Sequence, residues 1–495
     1  MASFLVLLDT SVLANAIPKI TSQFHRLEDI AWYGAAYQVA SAVAQPLVGK
    51  VYSQFSPKLV FAVFFVCFEL GSLVCALAVS SRMLIMGRAI SGLGSAGVFA
   101  GALIIIGVSV PAEKRAVAQL GSLAGPLVGG ILTDKLSWRW CFYISLGFGI
   151  VVIIGILICV GVDTDKKKSL VPCRQRWAML YSNVDVVGFC LLALGTTTLV
   201  VALQSGGRVY PWNSTMIITL LCCAAFSCLL FAGWVWYRGD AALIPTTLFK
   251  NRIVVVACYM SMAINTTSSL ISYWMPIYFQ AVLEKGPLDS AISTLPTILS
   301  CFIVGIATGH LICGGALAVA AASLLGTLDQ RSSATQWVVY QLLLGTSRGL
   351  AQQVGYAVIQ VAAPSALMPV AISTMVFSQN MGGALFLSLS SVSFALTFRA
   401  ALALIAPSAD AEAVLSAGAS YWHDKSLDVK EIQLTYSASL HKVFFLVAGV
   451  AGTFFLMSFF CGWVNINCKQ STSGGREDSL VALSPAPSSI PRPTH

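Results

Sequence analysis

The chain has 495 residues, of which 57% are hydrophobic and only 10% are charged, and its formal net charge is +9. Soluble domains contain about 25% charged residues, so this composition excludes an ordinary soluble protein and indicates a polytopic membrane protein. The basic residues lie between apolar segments, as membrane topology requires, and we therefore expect no nucleic-acid partner.

Apolar stretches recur along the whole chain. A membrane-spanning helix needs about 17 to 25 apolar residues. Fourteen spans are predicted, at residues 2–18, 31–51, 59–80, 83–107, 116–132, 138–161, 184–204, 214–237, 253–280, 288–311, 312–328, 337–361, 369–397 and 441–463. The first resembles a signal peptide because it ends in Ala-Asn-Ala, but it lacks a basic start and Asp9 interrupts it.

The first two spans contain polar residues that lipid would not accept. Asp9 is a proton site, a substrate contact or a residue near the cytoplasmic surface. In the second span Gln38, Ser41 and Gln45 repeat at i, i+3 and i+7, which places them on one helical face. Such a stripe faces either a substrate cavity or polar groups of neighbouring helices.

The third and fourth spans add a carboxylate, an arginine and a glycine stripe. Arg88 lies about one turn inside an apolar segment, where an unpaired charge costs several kcal/mol, so it needs a polar partner. Glu69 is either a proton-binding group or half of an ion pair, with Arg88 as the suggested partner. Gly94, Gly97 and Gly101 favour close approach of another helix.

The fifth span and the loops complete the layout of the first half. Glycines repeat every four residues beside a proline in 121–130, which indicates a packed helix with a bend. If the N-terminus is cytoplasmic, twelve basic residues lie in short inner loops and seven in short outer loops, which favours both termini inside. The basic loop 162–183 then divides the chain after six spans, and Asn213 becomes an outer glycosylation site.

The ninth and twelfth spans carry further polar stripes. Asn265, Ser268 or Ser269, and Ser272 share one face, followed by Trp274. Gln341, Arg348 and Gln352 form a stripe along an otherwise apolar helix. The stripes predict a cavity for an amphipathic molecule, and hydrogen bonds between helices are the alternative. The predicted cavity residues are Gln38, Gln45, Asn265, Ser272, Trp274, Gln341, Arg348 and Gln352.

Signatures of enzymes and of ATP use are nearly absent. His423 and Asp428 match a spacing found in acyltransferases, but one short window without a supporting motif is most simply chance. No glycine-rich phosphate loop follows a strand, so we expect no ATP drive, no cofactor and no metal. The remaining energy source is an ion gradient, and buried carboxylates beside Arg88 suit protons.

Three segments together resemble the major facilitator superfamily, in particular the fourteen-span drug:proton antiporters of filamentous fungi. The opening LLDTSVLANAIPKI resembles the first-helix motif, with Asp9 in its acidic position, and RAISGLGSAG resembles the fourth-helix motif, with Arg88 as its arginine. GSLAGPLVGG resembles the fifth-helix antiporter motif, through Gly121, Gly125, Pro126, Gly129 and Gly130. The likeness extends from about Leu7 to Trp463.

The resemblance implies an all-α, polytopic membrane protein of major-facilitator fold. Its parts are a six-helix bundle at 1–161, the loop 162–183, two additional helices at 184–237, a second six-helix bundle at 238–463 with an outer loop at about 399–440, and a disordered cytoplasmic tail at 464–495. It implies proton-coupled efflux of a drug, mycotoxin or other secondary metabolite by a monomer in the plasma membrane, with Asp9, Glu69 and Arg88 in proton coupling. The alternatives are a proton-coupled importer of a siderophore or nutrient, a non-transporting sensor, and a vacuolar or vesicular location.

The sequence departs from this family in the gate loop and in two spans. Gly49, Lys50 and Lys58 lie in GKVYSQFSPK, which corresponds to the gate, but Ser53 stands where the family has aspartate and Ser56-Pro57 replace glycine-arginine. The spans at 116–132 and 312–328 are short, and the first of them reaches roughly 26 Å against a hydrocarbon core of about 30 Å. We hypothesise that two internal segments are deleted relative to the family, which transcript sequencing would test.

Overall fold

The computed structural model describes residues 5–6, 9, 20, 23–24, 29–109, 131–132, 137–159, 185–207, 210–305, 311–364, 367–405 and 429–460. This part of the chain is helical and contains no β-strand, so the predicted all-α fold is confirmed. Its main helices are α1 (Ile30–Gln54), α2 (Pro57–Ala76), α3 (Ser81–Ser109), α4 (Trp140–Cys159), α5 (Val186–Ser205), α6 (Thr215–Arg238), α7 (Arg252–Ile277), α8 (Leu295–Gly305), α9 (Leu311–Leu325), α10 (Ala334–Ala362), α11 (Met368–Ile405) and α12 (Val429–Ser458). Shorter helices are Gly239–Ala241, Thr246–Lys250, Tyr278–Val282 and Pro287–Ser293.

The helices of the described residues match most of the predicted spans. Eight of them are long and apolar enough to cross a membrane. The spans predicted at 2–18 and 116–132 lie almost wholly outside the described residues, so the number fourteen stays a prediction. The described part of helix α9 has 15 residues, about 22 Å, and residues 306–310 before it lie outside the described part, so the short span stays a prediction.

Two helices continue into residues that the sequence assigns to an outer loop. Helix α11 has 38 residues and ends at Ile405, and α12 starts at Val429 rather than near residue 441. Phe398 and Tyr436 explain the extension, since both are buried and their ring centroids lie 5.0 Å apart. The predicted outer loop 399–440 is therefore wrong at both ends, since residues 399–405 and 429–440 are helical.

Helices α2 and α3 pack closely because glycine replaces side chains at their contact. A β-carbon added at Gly94 would lie 2.5 Å from the α-carbon of Phe68, and one added at Gly97 would overlap the ring of Phe64. At Gly101 an added β-carbon would overlap the hydroxyl of Tyr52 on α1. The glycine stripe of α3 thus brings α1 and α2 against α3, as the sequence predicts.

Helices α1 and α11 pack antiparallel along a contact that we call the α1–α11 seam. Near one end a β-carbon added at Gly34 would lie 3.6 Å from Leu387, and near the other end one at Gly49 would lie 2.7 Å from Ser373 Oγ. Between them Asn380 Nδ2 donates to Ser41 Oγ at 3.0 Å. The seam joins a helix of the first half of the chain to a helix of the second half.

Candidate functional site

Arg88 lies at the centre of a buried polar group formed by α1, α3 and the segment containing Asp9. Its side chain is almost fully buried, and Nη1 lies 2.6 Å from Asp9 Oδ2. Nε donates to the Tyr33 carbonyl at 3.1 Å, and the guanidinium carbon lies 4.4 Å from the centroid of the Tyr37 ring. The polar partner that Arg88 needs is therefore Asp9 rather than the suggested Glu69, and a carbonyl and an aromatic face add to it.

Helix α1 supplies two of these contacts because Tyr33 and Tyr37 are four residues apart and lie on the same helical face. Gly92 of α3 lets the backbones meet, since a β-carbon added there would lie 3.0 Å from the carbonyl carbon of Tyr37. Sequence analysis did not single out Tyr37. Tyr37 lies four residues after Tyr33 and faces Gly92 of α3. This spacing points to a shared site only once the pairing of α1 with α3 is known.

Glu69 is buried on α2 and takes no part in the ion pair of Arg88. Among the described residues its two carboxylate oxygens accept no hydrogen bond. A β-carbon added at Gly149 would lie 2.5 Å from the carboxyl carbon of Glu69, so the side chain lies against α4. The suggested Glu69–Arg88 ion pair is absent from the described residues, because the salt bridge of Arg88 is made with Asp9.

The polar stripe of α1 makes hydrogen bonds to two other helices. Gln45 Nε2 donates to the Ala96 carbonyl of α3 at 3.2 Å, and Ser41 Oγ lies 3.4 Å from Ser95 Oγ. Ser41 also accepts the bond from Asn380 across the α1–α11 seam. In this conformation the stripe therefore stabilises contacts between helices, which is the structural alternative that the sequence left open.

The polar residues of the α7 stripe and Trp274 have different surroundings. Asn265 Nδ2 donates to the Gln379 carbonyl at 3.4 Å, and Ser272 is exposed. Trp274 is 4% exposed, its Nε1 donates to Ser390 Oγ at 2.9 Å, and its ring centroid lies 4.8 Å from that of Phe394. Trp274, predicted as a cavity wall, thus packs in an aromatic core in this conformation.

The stripe of α10 contacts the preceding helices and itself. Gln341 Nε2 donates to the Ser293 carbonyl at 2.9 Å, and its Oε1 accepts from Thr297 at 3.0 Å. One turn apart, Arg348 Nε donates to Gln352 Oε1 at 3.0 Å, and both side chains are half-buried. Gln341 therefore ties α10 to the α8 region, whereas the Arg348–Gln352 pair keeps partial access to solvent.

A small void lies between α7 and α10, beside Ser261 and Gly355. Its volume is about 10 Å³, which is the space of roughly one water molecule. Pockets for small molecules measure about 300 to 1,000 Å³. The void is therefore far too small for a substrate. Helices α7 and α10 pack against each other around it.

Comparison with known proteins decides the family. The sequence model described as Major Facilitator Superfamily matches residues 1–387. The chain belongs to the major facilitator superfamily. It is therefore a multi-pass membrane transporter, and the predicted resemblance is confirmed.

This transporter is similar to several fungal members of the superfamily. It is 38% identical to the MFS-type transporter calB of Penicillium decumbens, over 95% of this chain and 88% of the relative. It is 36% identical to the efflux pump mlcE of Penicillium citrinum, over 95% of this chain and 90% of the relative. The solved structure of the human organic anion transporter MFSD10 is 13% identical, with a TM-score of 0.52 over 90% of this chain and 98% of that one, and shows the shared fold.

The predicted gate loop, residues 49–58, consists mostly of the end of α1 and the start of α2. Ser56 Oγ accepts from the Leu59 backbone at 3.3 Å and Pro57 occupies the first turn, so the residues that depart from the family motif start helix α2. Ser53, which replaces aspartate, donates to the Lys50 carbonyl at 2.7 Å. Lys58 is half-buried in the first turn of α2.

Other predicted residues of the transporter remain untested. The antiporter motif, comprising Gly121, Gly125, Pro126, Gly129 and Gly130, lies outside the described residues, as do His423, Asp428 and the loop 162–183. Asn213 is exposed in the turn before α6, and its glycosylation stays a prediction.

Sequence reasoning also missed Asp185. This residue is fully buried at the start of α5, where its carboxylate accepts three hydrogen bonds. From the sequence it is an ordinary helix N-cap before an apolar run. The bond from Gly188 is the ordinary N-cap bond, whereas the other two come from α6 and the segment after it, which no local pattern predicts.

Proposed function

We propose that this transporter exports a lipophilic small molecule in exchange for protons by alternating access. The proposal rests chiefly on the buried pair of Arg88 and Asp9, whose atoms Nη1 and Oδ2 are 2.6 Å apart. Ionisable residues inside membrane helices are costly, and in transporters they mark proton and substrate pathways. Names of relatives such as the efflux pump mlcE support export as the direction.

Asp9 is the proton-binding group in this mechanism. Its Oδ1 is buried and accepts no hydrogen bond from the described residues, so a proton can add there while Oδ2 stays beside Arg88. The added proton neutralises the carboxylate and ends its ionic attraction to the guanidinium. Arg88 keeps the Tyr33 carbonyl and the Tyr37 ring, so α1 and α3 stay joined while the Asp9 segment is released.

Glu69 is a second proton-binding carboxyl group in the same bundle. It lies between α2 and α4, buried, and without hydrogen-bond partners among the described residues. Its carboxyl group is not paired with Arg88, so we assign it a different role from Asp9, as a relay or reserve site. Substitution by glutamine would separate the two roles, because it removes proton binding and keeps the side-chain shape.

The helix surfaces support the proposed substrate class. Polar side chains such as Gln38, Asn265 and Arg348 are spaced along apolar helices, and separation of the bundles would expose them to an amphipathic molecule. A proton gradient supplies the energy and no cofactor takes part. We place the monomeric transporter in the plasma membrane, with a vacuolar or vesicular membrane as the alternative.

Dye accumulation in pump-deficient yeast tests the function. Cells expressing the full chain are expected to accumulate a fluorescent lipophilic compound several-fold less than cells with an empty vector, because the pump removes it. A protonophore should restore accumulation to the vector level within the same cells.

The same assay separates the alternatives, provided that the protein is shown in the membrane. Higher accumulation in expressing cells would indicate an importer instead. Equal accumulation across a broad panel, with saturable binding of a panel compound to purified protein, would indicate a sensor. Export that a protonophore leaves unchanged would contradict proton coupling but not export itself.

A further inference from the structure

A buried carboxylate joins the two additional helices to the segment that follows them. Asp185 Oδ1 accepts from the backbone of Gly188 at 2.9 Å and from Trp234 Nε1 of α6 at 2.7 Å. Its Oδ2 accepts from the backbone of Leu243 at 3.0 Å. Asp185 thus holds together the start of α5, the end of α6 and the backbone at Leu243. We call these three parts one unit.

Lys50 of the gate loop contacts this unit directly. Its Nζ donates to the carbonyl of Ala242 at 2.8 Å and to that of Ala241 at 3.3 Å. These carbonyls immediately precede Leu243, whose backbone nitrogen Asp185 holds. The carboxylate therefore positions the two acceptors, and the ammonium group of Lys50 binds them with charge-assisted hydrogen bonds.

The acceptor segment is anchored in the second half of the transporter. Leu248, a few residues further on, is 2% exposed and belongs to a core cluster with Val254 of α7 and Met375 of α11. Lys50 belongs to α1, in the first half of the chain. Its bonds to Ala241 and Ala242 consequently cross from one half to the other, at the same end where Gly49 meets Ser373.

We propose that Lys50, the carbonyls of Ala241 and Ala242, and Asp185 form a latch that holds the cytoplasmic face closed. The latch deepens the proposed function, and the orientation follows from the predicted inner loops. Opening this face separates α1 from α11 and breaks the Lys50 bonds. Asp185 is a positioning residue: with the additional helix pair it holds the acceptor segment against the gate, which lacks the family's aspartate at Ser53.

Thiol labelling of a seam residue tests the latch without any substrate. Ser373 is fully buried beside Gly49, so Ser373→Cys reports opening of the cytoplasmic end of the seam. Inside-out membrane vesicles bearing the full chain are treated with a membrane-impermeant maleimide, and modification at position 373 is followed by mass spectrometry. We expect Lys50→Met to raise the labelling rate about tenfold, the order that loss of a charged hydrogen bond gives.

Matched variants separate the latch from a general loss of charge or of folding. The parent is Ser373→Cys, and each variant is made in it. Lys50→Arg should be labelled as slowly as the parent. Lys250→Met, which removes an exposed lysine from the segment after Ala242, should also be labelled as slowly. Asp185→Ala should raise labelling as Lys50→Met does, and if it fails to fold, Asp185→Asn takes its place.

The outcomes distinguish the latch from the function on which it rests. Labelling of Lys50→Met at the parental rate would overturn the latch, even if export were lost. A different result is that Lys50→Met is labelled faster while the unmodified chain shows no proton-dependent export. That result would support the latch and contradict the proposed function.

Discussion

Arg88→Ala is expected to reduce export to the level of cells without the transporter. The change leaves the Asp9 carboxylate buried without its cation, and breaking a buried pair in this way costs about 3 to 5 kcal/mol. It also removes the contacts to the Tyr33 carbonyl and the Tyr37 ring. Dye accumulation in pump-deficient yeast, normalised to surface protein, measures the loss.

Controls distinguish coupling from folding at this site. Arg331→Ala removes an exposed arginine and should export normally. If Arg88→Ala reaches the surface poorly, the double variant Arg88→Ala with Asp9→Asn removes both charges and should recover surface level without recovering export. Full export by Arg88→Ala at normal surface level would refute the role given to the pair.

Gly94→Ala is expected to destabilise the folded transporter strongly. The added β-carbon would lie 2.5 Å from the α-carbon of Phe68, and backbone cannot move aside as a flexible side chain does. Overpacking of this kind lowers the free energy of unfolding by about 1 to 3 kcal/mol, and by more where two helix backbones meet. Thermal unfolding of detergent-solubilised protein, followed by size-exclusion chromatography, should show a lower midpoint and less monodisperse protein.

Gly449→Ala is the matched control for this change. Gly449 lies inside α12, and a β-carbon added there meets no atom within 4 Å. Alanine is favoured over glycine in a helix by about 0.5 to 1 kcal/mol, so this variant should be as stable as the parent or slightly more so. Equal midpoints for Gly94→Ala and the parent would show that α2 and α3 are not held this closely.

The need for a partner of Arg88 was predictable, but the identity of that partner was not. An arginine in an apolar segment requires a polar group, and the sequence suggested Glu69. Which carboxylate meets Arg88 depends on how helices pack. Gly92 brings α1 against α3, whereas Glu69 lies against Gly149 of α4.

The polar stripes show a second limit of sequence reasoning. Periodicity identifies the face that avoids lipid, but it does not say what that face contacts. Gln45 and Gln341 bond to neighbouring helices, and Trp274 packs among aromatic rings. Asp185 shows the same limit, because its partners Trp234 and Leu243 are distant in sequence.

Helix ends were the least predictable part of the fold. The sequence places the end of this span at residue 397, before Arg399, and assigns residues 399–440 to a loop. The apolar face nevertheless continues through Phe398 and Leu402, which pack in the same core as Tyr436 of α12. Packing of one face therefore extends both helices beyond the predicted span ends.

Transport by purified protein in sealed vesicles tests the central claim most directly. Vesicles with an acidic interior and a clamped membrane potential are given a permanently charged lipophilic dye, which a pH gradient alone does not trap. Proton:substrate exchange predicts that the dye accumulates inside while protons leave, and that Asp9→Asn and protein-free vesicles show no such uptake. Accumulation only when the outside is acidic, or uptake by Asp9→Asn equal to that of the parent, would contradict the account.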